Sequence, residues 1–253
     1  MAETDGSMML EGVPEAIAGP LRVLVEQLRG ALAGNLMSVT VVGSALTGDF
    51  RAGASDVNTV VVLGEHNLAA LQAMAGLAKA LRKKRVSPPL LMTGAYIERS
   101  RDVFGVEFLD FQLTHKTVVG DDPFAGLSIG KGDVRLQCER ELKATLIRLR
   151  QGYIAAAANK RLVRDVLIAT AKGLAPLSRA MLWLKDVERP QTMAATFEKA
   201  GGEFSVDLGS VSAVERWRFE KVRLGESDME RAFEGVYAAV EKLAQIVDAM
   251  EVA

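Results

Sequence analysis

Two short polar clusters hold the groups of this 253-residue chain best suited to chemistry. Gly43-Ser44 follows the β-rich run Leu36 to Val42, and Ser55-Asp56-Val57-Asn58 opens the run Asp56 to Leu63, with Gly48 and Arg51 in the connection between them. A glycine at a strand end permits a close backbone turn whose N–H groups can reach an anion's oxygens, and the Ser44 hydroxyl adds a donor beside them. Residues two apart on a strand share a face, so Asp56 and Asn58 are expected to project together towards that turn. Their oxygens are hard ligands of the kind Mg²⁺ takes. Asn58 brings an oxygen but no charge, so a cation there would lean on ligand phosphates for its affinity.

Other chemistries have little to work with. His66 and His115 are the two histidines and Cys138 the one cysteine, too few for a zinc site of His and Cys ligands. A lone cysteine forms no intrachain disulfide, which makes a reducing cytoplasm the expected compartment and packing the expected role of Cys138. The 31 Lys and Arg nearly balance 32 Asp and Glu, for a net charge of -1. With no global positive field, no nucleic-acid partner is expected. Met1 to Gly12 carries Glu3, Asp5 and Glu11 where an export leader would carry cations and a long apolar run. Apolar runs such as Val39 to Val42 and Val60 to Leu63 fall far short of the roughly 20 residues that span a bilayer, so no membrane partner is expected.

The elements around these clusters follow from periodicity. Ile17, Leu21, Val25, Leu28 and Leu32 describe one face of a helix ending near Gly34-Asn35. Leu36 to Val42 and Asp56 to Leu63 read as strands, and Val60, Val61 and Val62 suit a strand covered on both faces. His66 to Arg85 reads as a helix with Leu68, Leu71, Met74, Leu77 and Leu81 inward. Its basic end, Arg82-Lys83-Lys84-Arg85, is read as solvated cations favoured by the helix dipole. Pro88-Pro89 stops that helix, a further apolar run covers Leu90 to Ile97, and Phe104 to Leu113 is expected to be another strand. From Asp133 on, the pattern is helical, with stripes at Leu142, Leu146, Leu149, Tyr153 and at Leu162, Val166, Ala169, Leu174, Leu177. Pro176 is expected to kink or interrupt the second. Shorter helices are expected around Thr192 to Ala200 and Ser212 to Val222. Phe233, Val236, Val240, Leu243, Val247 and Met250 form the seam of a last bundle helix, which either closes its own core or joins copies of the chain.

The Gly43-Ser44 and Ser55-Asp56-Val57-Asn58 pair, with its strand flanks, resembles the signature of the polymerase-beta-like nucleotidyltransferases over about Leu36 to Gly120. The resemblance implies an α+β fold: a nucleotidyltransferase-type mixed-sheet domain over residues 1–125, followed by an α-helical bundle over 126–253. It implies that Gly43 and Ser44 hold nucleotide phosphates, with Arg51 facing a phosphate from the same loop. Asp56 would bind Mg²⁺ with help from Asn58. Glu107, with Asp110 as the alternative, would be the further acid, acting as ligand or base. The activity implied is Mg²⁺-dependent transfer of a nucleoside monophosphate from a nucleoside triphosphate to a hydroxyl of a small molecule or protein. The helical second half is similar in arrangement to that of small-molecule nucleotidyltransferases such as the aminoglycoside-modifying enzymes. The family's second Asp is Asn58 here, and Ala45 follows Gly-Ser where an arginine or aromatic is common. The Asn58 departure points to the alternative, a non-catalytic fold that binds a nucleotide or a protein. No histidine follows His115, so the Arg and His pair of a HEPN-type nuclease bundle is not available.

Overall fold

The computed structural model describes residues 8–220 and 224–252; Glu3, Asp5 and Val222, named above, lie outside them. The chain divides into two compact units, one of residues 1–101 and 111–128, the other of 102–110 and 129–253.

In the first unit, helix α1 (Glu15–Leu32) precedes strands β1 (Leu36–Val42) and β2 (Asn58–Leu63). Helix α2 (Leu68–Lys83), strand β3 (Leu90–Thr93), the short helix α3 (Gly94–Arg99) and strand β4 (His115–Val119) follow. The sheet order is β3-β2-β1-β4. β1 pairs antiparallel with β2 and with β4, and β2 pairs parallel with β3, which makes the sheet mixed. Val60, Val61 and Val62 are all buried, as their run predicts. Val39, Val41, Val61 and Leu63 join Ile17, Leu21, Leu24, Val25 and Leu28 of α1 and Met74 of α2 in one core. Each fully buried side chain of this kind contributes about 1.5–3 kcal/mol relative to exposure. Asn67 starts α2 by accepting the Ala70 N–H at 2.9 Å, a cap typically contributing about 1 kcal/mol.

Three expectations for this half are corrected. Phe104 to Leu113 is not a strand but helix α4 (Gly105–Leu113). Val106, Leu109 and Leu113 recur at three and four, the helical spacing, and the Gln137 side chain accepts the Val106 N–H at 2.9 Å at the helix start. The strand lies just beyond, in β4. Second, Leu90 to Ile97 is a four-residue strand turning directly into α3, where Thr93 caps by accepting the Tyr96 N–H at 3.1 Å. Third, Leu68 and Leu71 of α2 are exposed, at 68% and 55%, and Ala70 joins Met74 and Leu81 on the buried face.

The second unit contains the part of α4 up to Asp110, then α5 (Lys131–Ala156), α6 (Lys160–Leu184), α7 (Met193–Phe204), α8 (Gly209–Arg216) and α9 (Glu226–Asp248). α6 runs unbroken through Pro176, against the expected interruption. Its buried stripe is Val163, Leu167, Ala171 and Leu174: one residue on from the expected Leu162 and Val166, two on from Ala169, and in step again at Leu174. Leu162 is exposed, as is Tyr153 at the end of the α5 stripe. In α9 Val236, Val240, Leu243 and Val247 are buried in the core that α9 shares with α5, α6 and α8, so this seam closes its own unit. Among the described residues no helix is long and apolar enough to cross a membrane.

Candidate functional site

β1 ends at Val42, and the chain turns through Gly43 at φ 73° into a single 3₁₀ turn, Gly43–Leu46. That left-handed conformation costs a residue with a Cβ about 1–2 kcal/mol, which is why glycine stands there. The Gly43 N–H donates to the Thr114 carbonyl at 3.2 Å. Gly43 therefore shapes the turn while its own donor is spent on the backbone. The Ser44 hydroxyl makes no hydrogen bond among the described residues.

The connection to β2 is held by its own polar groups. The Thr47 hydroxyl accepts the Asp49 N–H at 3.2 Å. Ser55, buried, accepts the Arg51 N–H on its hydroxyl at 3.0 Å and returns its N–H to the Arg51 carbonyl at 2.8 Å. The serine of Ser-Asp-x-Asn thus closes the loop and leaves the Arg51 side chain on its exposed surface. The Val57 N–H donates to the Arg85 carbonyl at 2.8 Å and the Ser87 N–H to the Val57 carbonyl at 3.0 Å, which fixes the entry to β2 beside residues 85–87.

Val57 and Thr59 are buried while Asp56 and Asn58 are exposed, the period of two that puts the latter pair on one face. Asn58 pairs across the sheet with Val42, the residue before Gly43. Val42 also pairs with His115 on its other side. The Gly-Ser turn and the two entry residues are therefore neighbours at one end of the sheet.

His115 is the residue that sequence reading left unused. Its Nε2 lies 2.8 Å from Asp122 Oδ2, and Asp122 Oδ1 accepts the Phe124 N–H at 2.9 Å. Burial by itself raises the Asp122 carboxyl, but the His115 hydrogen bond and the Phe124 and Ala125 N–H groups outweigh it and lower it from its ordinary value. Gly120-Asp121-Asp122-Pro123 marks a turn in the sequence, but no repeat ties it to His115.

Asp56 Oδ1 lies 3.6 Å from Arg85 Nη1, with both side chains about half exposed, 55% and 52%. Such a surface pair contributes about 0–1 kcal/mol and leaves the carboxylate accessible. The acids expected from the later strand belong to the second unit. Glu107 is exposed in the first turn of α4 and accepts from Gln137 Nε2 at 2.7 Å. Asp110 is held by Arg179 through two contacts, 2.5 Å from Nε and 3.1 Å from Nη2. Beside it Arg189 donates to the Leu109 carbonyl at 2.9 Å. Burial lowers the Arg189 guanidinium from its usual range and Arg179 adds to this, while Asp110 opposes it. Asp110 is thus the centre of a partly buried charge network.

Among the described residues no group of three or more His, Cys, Asp and Glu side chains is placed to hold a metal ion. One half-exposed carboxylate facing a guanidinium, with a neutral amide beside it, does not fit a resident metal centre. Cys138 is buried and its thiol is pushed up to about 12, first by burial and then by Glu107 and Glu141, which leaves it unreactive.

No protein-family model matches the chain, and no curated protein matches it. Its structure is similar to the crystal structure of the spectinomycin adenyltransferase AAD(9) from Enterococcus faecialis with ATP and spectinomycin. The TM-score is 0.56 at 11% identity, over 88% of this chain and 98% of that one. The likeness shows a nucleotidyltransferase-type α+β fold with a helical C-terminal region.

Proposed function

We propose that this protein binds a nucleoside triphosphate at the end of the sheet where β1 leaves and β2 enters, on a nucleotidyltransferase fold without a metal centre of its own. The observation that carries the reading is the pairing of Val42 with Asn58, which sets the Gly43-Ser44 turn beside Asp56 and Asn58. Ser44 donates its hydroxyl to a phosphate oxygen, and Arg51 in the same loop supplies positive charge. Asn58 lets a polyphosphate approach with one repulsive charge fewer than a second carboxylate would impose. The test is isothermal titration with ATP and GTP, with Mg²⁺ and with a chelator. Binding is expected in both conditions, without pyrophosphate release. Ser44→Ala should weaken it by about tenfold, the range of one hydrogen bond to a charged group. Pyrophosphate release that disappears in Asp56→Ala would overturn the reading.

A second reading is favoured by the likeness to 98% of an adenyltransferase chain, which includes the helical half as well as the sheet. In it the protein transfers a nucleoside monophosphate from a nucleoside triphosphate to a hydroxyl of a small molecule or protein. It requires Mg²⁺ brought by the triphosphate and met by Asp56 and Asn58, in a cytoplasmic protein. Asn58→Asp restores the missing charge, and under this reading it should raise pyrophosphate release above that of the unaltered chain.

A further inference from the structure

From Leu68 to Ala78 helix α2 carries no charged residue, although it lies on the surface of its unit. A helix with one buried face ordinarily turns charge to the other. Here Met74 and Leu81 go into the core, while Leu71, Ala75 and Ala78, spaced by four and three, form a second apolar stripe that no core takes up. The stripe continues to Arg82 and lines a cavity of about 370 Å³ whose opposite wall is Val86, Ser87, Pro88, Pro89 and Leu91. From Leu71 to Arg82 the groove runs about 16 Å at the rise of an α-helix. Two prolines without N–H groups make that wall unable to pair with an added strand.

Charge is confined to one end. Arg82 and Arg85 stand there against the single carboxylate of Asp56. The side chains of Arg82, Lys83 and Lys84 make no hydrogen bond or ion pair among the described residues. Arg85, at φ 54°, is turned so that its guanidinium reaches the Ala54 carbonyl at 3.4 Å and Asp56 at 3.6 Å. The basic end of α2 is therefore more than a solvated helix terminus: it is the cationic mouth of an apolar slot.

We infer that this slot binds a single-chain amphipathic anion, with its hydrocarbon along Leu71, Ala75 and Ala78 and its carboxylate or phosphate head at Arg82 and Arg85. The apolar wall excludes a polar ligand, and the net positive mouth selects an anionic head over a neutral one. The concave shape and the size suit one chain rather than a lipid surface.

Isothermal titration of the full chain with decanoate, decyl phosphate and decanol, all below micelle formation, tests this. Saturable one-to-one binding of the two anions is expected, with decanol at least about tenfold weaker, a factor equal to about 1.4 kcal/mol. The stronger of the two anions identifies the head group. Arg82→Glu should weaken both anions by about tenfold and leave decanol unchanged, and Ala78→Trp, which fills the slot, should abolish all three. Equal binding of decanol and decanoate overturns the inference. So does binding retained in Ala78→Trp with an unchanged melting temperature, or adsorption to anionic phospholipid vesicles with no saturable binding of the single chains. ATP titrated into the same samples keeps this result apart from the triphosphate reading, since each can fail with the other intact.

Discussion

Asp56 and Asp110 are two aspartates with arginine partners, and the protein uses them in opposite ways. Asp56 meets Arg85 at 3.6 Å with both side chains about half in solvent. Asp110 is gripped by Arg179 through both carboxylate oxygens, with side chains only 19% and 10% exposed, and Thr196 holds the same guanidinium at 3.3 Å. The first carboxylate is free to meet a ligand because its pairing contributes little. The second is committed, because releasing it would strand buried charge. An acid's place in a motif therefore says less about chemistry than the solvation of its partner.

That contrast can be broken by substitution. Asp110→Ala should have the largest effect, destabilising by about 3–5 kcal/mol because Arg179 and Arg189 lose their counter-charge, read as a fall in the urea midpoint at unchanged slope. Gln137→Ala removes the acceptor of the Val106 N–H and the donor to Glu107 together. It should cost about 1–3 kcal/mol by the same measurement. If Asp110→Ala proved the milder of the two, the network around Arg179 would not be the anchor of its unit.

Asp122→Asn should cost about 1 kcal/mol at neutral pH, the value of one hydrogen bond. The Asp122 carboxyl is lowered in the folded state, so its contribution is present above the unfolded value near 3.9 and is lost as pH falls through the folded one. Melts of both proteins should therefore draw together as pH falls below about 3.9 and coincide only below the lower, folded value. Asp56→Ala should be the smallest, changing stability by at most about 1 kcal/mol. A large loss there would erase the distinction between the two aspartates. Cys138 sharpens the comparison from another side: a thiol raised to about 12 should resist a thiol reagent at neutral pH until the protein unfolds.

Much of the framework was legible in residue order. The face of α1 and the seam of α9 follow from repeats of three and four that burial enforces over several turns, and β1 and β2 from short β-rich runs buried on both faces. The α4 segment was misread because Glu107, Asp110 and Gln112 interrupt the apolar residues of Phe104 to Leu113 in an imperfect alternation that resembles a strand, and the cap on Val106 comes from Gln137, far along the chain. The displacement at the start of the α6 stripe arises because adjacent apolar residues such as Leu162 and Val163 leave the choice to packing. The turn at Gly43 and the shared exposure of Asp56 and Asn58 were readable because they depend on local backbone geometry. The His115 and Asp122 pair was not, because a hydrogen bond between a strand and the loop after it is invisible to any repeat.

Residue types and their local periodicity determined on their own that strands and helices in the first half give way to helices in the second, that a glycine turn ends one strand run before another opens, and that position 58 brings an amide and no charge. Tertiary structure alone decided that Asp110 is spent on Arg179, that Leu71 and Arg82 share a slot, and that Asn58 and His115 flank Val42. Backbone conformation is set by near neighbours, whereas solvation and charge pairing depend on residues far apart in the chain that only folding brings together.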